Sequence, residues 1–155
     1  MSPNQTIAQL LEQGLFHHRR GEFRPAMDRY VEVLTRDPQN ADALYYSAVI
    51  ACAEGQYKEG IDLARRSLSF KPRQARVYNM IGKALAEQNR QKDALDAFDE
   101  ALACDIKFAE AYGNRGNMLC ELGRFAEALS SYDRALEHEP IAANWLNRGT
   151  ALDGM

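Results

Sequence analysis

The chain repeats itself every 34 residues, and that period decides what it can fold into. Blocks opening at Ile7, Ala41, Ala75 and Ala109 align without a gap. Block position 4 holds Leu10, Leu44, Tyr78 and Tyr112, and position 8 holds Gly14, Ala48, Gly82 and Gly116. Gly21, Gly55, Asn89 and Gly123 share position 15, while Ala26, Gly60, Ala94 and Ala128 share position 20. Tyr30, Ala64, Phe98 and Tyr132 fill position 24, and position 28 is always leucine: Leu34, Leu68, Leu102 and Leu136. Position 32 holds Pro38, Pro72, Ile106 and Pro140.

Each column has a physical reason. Apolar residues recur at helical spacing within a block, as in Leu95, Phe98, Ala101 and Leu102. Glycine or asparagine at position 15 can adopt the left-handed backbone that stops a helix, so the first helix of each block ends there. Proline at position 32 cannot continue the second helix and restricts the residue before it. Small residues at positions 8 and 20 let the two helix axes approach, and the ring at position 24 fills the space beyond. One such hairpin cannot bury its apolar faces. Neighbours must therefore stack, which predicts a solenoid of antiparallel helix pairs.

The period and the columns resemble the tetratricopeptide repeat family, most closely in block four through Tyr112, Gly116, Leu119, Ala128, Tyr132, Ala135 and Pro140. The resemblance spans residues 7 to 153. It implies an all-α, right-handed α-solenoid in a single domain over 1–155, with repeats at 7–40, 41–74, 75–108 and 109–142 and a partial fifth at 142–155. The motif is specific for the fold and says little about the task.

The two ends differ. Ser2-Pro3-Asn4-Gln5 reads as a capping box that starts the first helix a turn before the repeat frame requires. After Pro140 a fifth block opens with Ala142, Trp145, Gly149 and Leu152, matching Ala109, Tyr112, Gly116 and Leu119 but one residue early. Helix five can cover block four, while Trp145 and Leu152 leave apolar surface on its other side. Two readings follow: the chain is the N-terminal piece of a longer protein, or this surface pairs with a second copy.

In the family, first-helix positions 2, 5, 6, 9, 12 and 13 line the concave face. Carried over, they give Leu11, Glu12 and Leu15, then Tyr45, Tyr46, Val49 and Cys52, then Arg76, Asn79, Met80, Lys83 and Glu87. Block four adds Glu110, Asn114, Asn117, Cys120 and Glu121, and the fifth helix adds Asn147 and Thr150. The N-terminal half of this face is apolar and aromatic, and the C-terminal half is rich in amides. A carboxamide both donates and accepts, so Asn79, Asn114, Asn117 and Asn147 can pair with the backbone of an extended segment. Tyr45, Tyr46 and Val49 would then anchor an apolar residue. The competing reading leaves the asparagines solvated and packs Tyr45 or Tyr46 between neighbouring helices.

Family subtypes can be weighed on the same positions. Members that grip chaperone carboxylate tails use a Lys/Asn/Asn/Lys/Arg set on three successive first helices. The matching sets here are Leu11, Leu15, Tyr46, Arg76, Met80, or Tyr45, Val49, Met80, Glu110, Asn114, or Asn79, Lys83, Asn114, Ala143, Asn147. None converges the positive charge a carboxylate pair needs. At position 6, Asn114 and Asn147 are similar to the asparagine ladder in the repeat arm of O-linked N-acetylglucosamine transferases, whereas Glu12, Tyr46 and Met80 depart from it.

Composition narrows the classes further. A net charge of −3 gives no basic face for nucleic acid, so no nucleic-acid partner is expected. No apolar run approaches the roughly 20 residues a membrane span needs, so no membrane partner is expected either. The N-terminus has neither the basic flank nor the apolar core of a secretory signal. Cys52, Cys104 and Cys120 are odd in number and lack CxxC spacing, as expected of reduced thiols in a cytoplasmic protein. His17 and His18 point about 100° apart on a helix and cannot share a metal. Asp96, Asp99 and Glu100 read as a solvated face, and no nucleophile has a spaced base partner. No catalytic residue, metal or cofactor is expected. The leading expectation is a protein–protein interaction module that holds a peptide or protein segment in its concave groove. The rival is the N-terminal substrate-docking arm of a larger, glycosyltransferase-like enzyme whose catalytic domain lies outside these residues.

Block two departs furthest from the pattern, with Gly60, Ala64 and Ser67 where alanine, an aromatic and alanine are usual. A mid-helix glycine costs roughly 1 kcal/mol relative to alanine. Its second helix is therefore expected to be the least protected internal one, unless a bulkier neighbour fills the gap. Native-state hydrogen exchange checks this, and slow exchange throughout residues 57–70 would refute it.

Overall fold

The computed structural model describes residues 5–154, which form nine α-helices and no strand. First helices start at the block starts: α1 (Ile7–Arg19), α3 (Ala41–Ala53), α5 (Ala75–Ala86), α7 (Ala109–Glu121) and α9 (Ala142–Asp153). Between them lie the second helices α2 (Phe23–Arg36), α4 (Tyr57–Phe70), α6 (Gln91–Cys104) and α8 (Phe125–His138). None of them is long and apolar enough to cross a membrane. The helices fall into two compact units divided between Pro72 and Arg73. In the first unit α1 packs on α2, α2 on α3, and α3 on α4. In the second, each of α5 to α8 packs on the next, and α7 also touches α5 and α9.

Helix termination follows the position-15 column. Gly21, Gly55 and Gly123 have φ of 72°, 79° and 71°, and Asn89 has 56°. At each, two backbone bonds close the end: the column residue donates to a carbonyl three residues back, and the next residue donates five back. Glu22 to His17 and Arg124 to Leu119 are examples of the longer bond, at 3.0 and 2.8 Å. This Schellman arrangement satisfies carbonyls that the helix end would otherwise leave bare.

The chain then returns so that the position-24 ring lies on the position-8 glycine. A Cβ on Gly82 would stand 2.5 Å from the Phe98 ring, and one on Gly116 would stand 2.6 Å from Tyr132. Gly14 meets Tyr30 in the same way. These rings are at most 1% exposed. Block two solves the same packing problem differently. There Ala48 and Ala64 are fully buried, and the Cys52 sulfur occupies the space where Gly60 lacks a Cβ. The bulkier-neighbour alternative for this repeat is thus the arrangement observed around Gly60. Ser67, also fully buried, donates 2.8 Å to the Ala41 carbonyl.

Turns between repeats use an aspartate where they have one. Asp37 and Asp105 accept from the backbone N–H two residues on, at 3.2 and 2.9 Å. Block two carries Lys71 there, and its turn instead puts Arg73 at φ 59°. In the second unit, arginines tie α7 to α6 and α9 to α8: Arg115 to Asp99 at 2.7 Å and Arg148 to Asp133 at 2.6 Å.

The expected early start of the first helix is not seen. Gln5 and Thr6 are non-helical, and α1 begins at Ile7. Thr6 caps it through a capping box with Gln9, at 3.2 Å and 2.9 Å. Ser2, Pro3 and Asn4 of the other candidate box lie outside the described residues.

The ring contact predicts opposite effects for one substitution at two positions of the same column. Gly116→Ala drives a methyl into a buried ring and should cost about 1–3 kcal/mol. Gly149→Ala meets nothing within 4 Å. It should add about 0.5–1 kcal/mol by removing a mid-helix glycine. The midpoints of urea unfolding for the two variants decide it.

Candidate functional site

The residues singled out from the sequence fall into two patches, one in each unit. Tyr45, Tyr46 and Val49 sit on α3, and all three are half-buried. Tyr46 stacks on the Tyr30 ring at 5.6 Å, meets His18 edge-on at 5.9 Å and contacts Tyr45 at 5.0 Å. Its inner surface thus belongs to the core of the first unit, where Leu10, Val33 and Ala43 lie. His18 also meets Phe23 edge-on at 5.8 Å, and its Nδ1 is 3.5 Å from the Tyr30 hydroxyl. Burial lowers the His18 pKa, because a charged imidazole would lose its water among these rings. Burial, and then the neighbouring Tyr46, push the Tyr30 hydroxyl well above the ordinary tyrosine value. The patch is a neutral aromatic cluster.

The second patch is a row of amides on α5, α7 and α9. Asn79 is 4% exposed, and its Oδ1 accepts from Asn114 Nδ2 at 2.9 Å. Asn79 therefore orients Asn114 and presents little of itself. Asn117 Oδ1 accepts two bonds, from Asn147 Nδ2 at 2.9 Å and from the Tyr132 hydroxyl at 2.8 Å. Asn117 is exposed, while Asn114 and Asn147 are half-buried. Met80 is half-buried beside the row, and Lys83 pairs with Glu110 at 3.3 Å. With these bonds made, Asn114 and Asn147 each keep an oxygen and a second N–H, and Asn117 keeps its amino group.

Sequence reasoning missed the part played by Tyr132. Its ring is the position-24 core ring, yet its hydroxyl reaches the amide row and lies 3.7 Å from the Cys120 sulfur. Burial, and then that sulfur contact, push its pKa well above the ordinary value, so it stays a donor. The available signal was the choice of tyrosine over phenylalanine at this position. Tyr30 repeats the design with His18 in the place of Cys120. Among the described residues no group of three His, Cys, Asp or Glu side chains could hold a metal ion.

Family models bear on this arrangement. One tetratricopeptide repeat model matches residues 109–140, and another matches residues 11–75 and 63–107. The chain belongs to the tetratricopeptide repeat family. No curated protein sequence matches it significantly. Solved structures share its fold. MamA superposes with a TM-score of 0.81 at 22% identity, over 96% of this chain and 81% of its own. YrrB, described as a TPR protein with an unusual peptide-binding site, gives 0.76 at 23% identity, over 96% of this chain and 77% of its own. The first TPR of Spaghetti (RPAP3), bound to the HSP90 peptide SRMEEVD, gives 0.71 at 23% identity, over 76% of this chain and 94% of its own. At these identities the similarity is one of fold.

The buried imidazole gives stability a pH dependence of known sign. The unfolded chain binds a proton at His18 near the ordinary value of 6.5, and the folded chain binds it only at lower pH. Stability from this site is therefore present above that value and is lost as the pH falls through the lowered one. His18→Phe should lose less stability than wild type between pH 7 and pH 5 in urea unfolding. Equal losses would show that His18 titrates normally in the folded chain.

Proposed function

We propose that the chain is a protein-interaction module whose amide row holds the backbone of an extended peptide segment. The observation that carries this reading is the row of donors and acceptors its internal bonds leave over: an oxygen and an N–H on Asn114, an amino group on Asn117, and an oxygen and an N–H on Asn147. An extended backbone presents N–H and C=O in turn, so such a row complements it whatever its side chains. Asn79 and the Tyr132 hydroxyl fix the amides before a ligand arrives, which reduces the ordering cost of binding. The peptide-binding description of YrrB and the peptide bound to RPAP3 support the class. Tyr45, Tyr46 and Val49 give the first unit a separate apolar contact patch, suited to a large side chain.

An acidic chaperone tail is a poor match for the row. Its carboxylates need convergent cations, and Lys83 is paired with Glu110. Linear peptides selected from a random display library and titrated by calorimetry test the proposal. Selection should yield extended segments with weak side-chain consensus, and SRMEEVD should not compete with them. Asn114→Ala combined with Asn117→Ala removes two backbone hydrogen bonds of about 0.5–1.5 kcal/mol each, a loss of roughly 5- to 150-fold. Unchanged affinity in that double variant would refute the role of the row.

A further inference from the structure

Position 3 of the first helices is apolar and fully buried on α3, α5 and α7, where Ala43, Val77 and Ala111 hold it. On α9 the same position is Asn144, which is buried too, at 5% exposure. Among the described residues its side chain has no hydrogen-bond partner. The local donor that a side chain at this place in a helix reaches back for, the Ile141 N–H, is already held by the Glu139 carbonyl at 2.8 Å. Burying an amide without a partner costs stability, and folded chains rarely leave one unpaired. The amide is not sealed in, however. Ser47 Oγ is the one side-chain oxygen or nitrogen among the described residues that is both closed to solvent and unbonded.

Gly113 gives the place where the amide opens. Position 5 carries a side chain on the other complete repeats, Leu11, Tyr45 and Asn79, whereas α7 has the glycine there. A Cβ on Gly113 would stand 3.0 Å from Asn144 Oδ1 and 4.0 Å from its Cγ, and would meet nothing else within 4 Å outside its own stretch of helix. The glycine thus leaves a recess floored by the Asn144 amide. It lies one turn along α7 and α9 from the Asn117–Asn147 bond, and Gly113 is the residue next to Asn114.

We infer that this recess, on the reading of the amide row as a peptide site, binds an Asn or Gln side chain of the peptide. A primary carboxamide carries an N–H and a C=O on the same side, so two of them pair through two hydrogen bonds. A trans peptide group holds its N–H and C=O on opposite sides and can make only one of these. Carboxylates only accept and ammonium groups only donate, so either leaves half of Asn144 unpaired. The peptide backbone therefore stays with Asn114, Asn117 and Asn147, and one carboxamide side chain turns inward to Asn144.

The probe is a random linear-peptide display library selected against the 155-residue protein. Selection should fix Asn or Gln at one position within an otherwise weak consensus. Replacing that residue by alanine in a selected peptide removes two hydrogen bonds and should weaken binding roughly 5- to 150-fold in calorimetry, with aspartate no better than alanine. Asn144→Ala puts into α9 the residue that α7 buries at this position. It should lose the same factor for the parent peptide and nothing further for the alanine peptide. Its urea midpoint should not fall, because no bond within the fold is lost. Additive losses in this cycle overturn the recess as a binding site. So does a consensus without a carboxamide position, or one that survives Asn144→Ala; in each case the row still holds a peptide. No selected peptide on the wild type overturns the row itself, and the recess with it. A lowered midpoint in both Asn144→Ala and Asn144→Val shows that the amide is bonded within the folded chain, which also overturns the recess.

Discussion

The contact of a buried ring with the α-carbon of a glycine sets the geometry of each complete helix pair except the second. Tyr30 on Gly14, Phe98 on Gly82 and Tyr132 on Gly116 leave no room for a single methyl group. The distance between the paired helices is therefore fixed by a ring's thickness and not by flexible side chains. The second pair has alanine at both of those positions, Ala48 and Ala64, and makes its close contact one turn nearer the loop. There the small residue, Gly60, is on the second helix, and the filling atom, the Cys52 sulfur, is on the first. What the fold requires is a knob seated in a hole between the paired helices, whichever helix supplies each.

That contact depends in turn on the turn between the helices. The left-handed residue at Gly21, Gly55, Asn89 or Gly123 and the two bonds closing the preceding helix end give all four hairpins the same short connection. An identical connection returns the second helix at an identical register, so position 24 reaches position 8 each time. Three glycines meet nothing within 4 Å at this site, so they are present for backbone conformation and not for space.

Much of this was legible in the sequence because it repeats. Helix starts at Ile7, Ala41, Ala75, Ala109 and Ala142 follow from the columns alone. Less was legible where two local patterns compete or where a neighbour decides. Ser2 and Thr6 each precede a glutamine by three residues, and only Thr6 lies next to the repeat frame and caps α1. Asn79 reads as a groove residue by position, but position 5 also faces the following first helix, and there it is buried against Asn114. For Tyr46 the sequence left groove anchor and interhelix packing both open, and the rings its inner surface meets come from α1 and α2, which no local pattern reveals. The positive φ of Arg73 follows a lysine where blocks one and three have aspartate, a difference visible only by comparing turns.

Tyr132 joins two roles that a repeat protein could keep apart. Its ring belongs to the packing that every repeat needs, and its hydroxyl holds the oxygen of Asn117. Phe98 shows that the packing does without the hydroxyl. A single oxygen atom thus separates a repeat whose ring only packs from one whose ring also holds a surface amide. Exchange between phenylalanine and tyrosine at this position therefore changes the bonding of a surface amide and leaves the architecture beneath untouched.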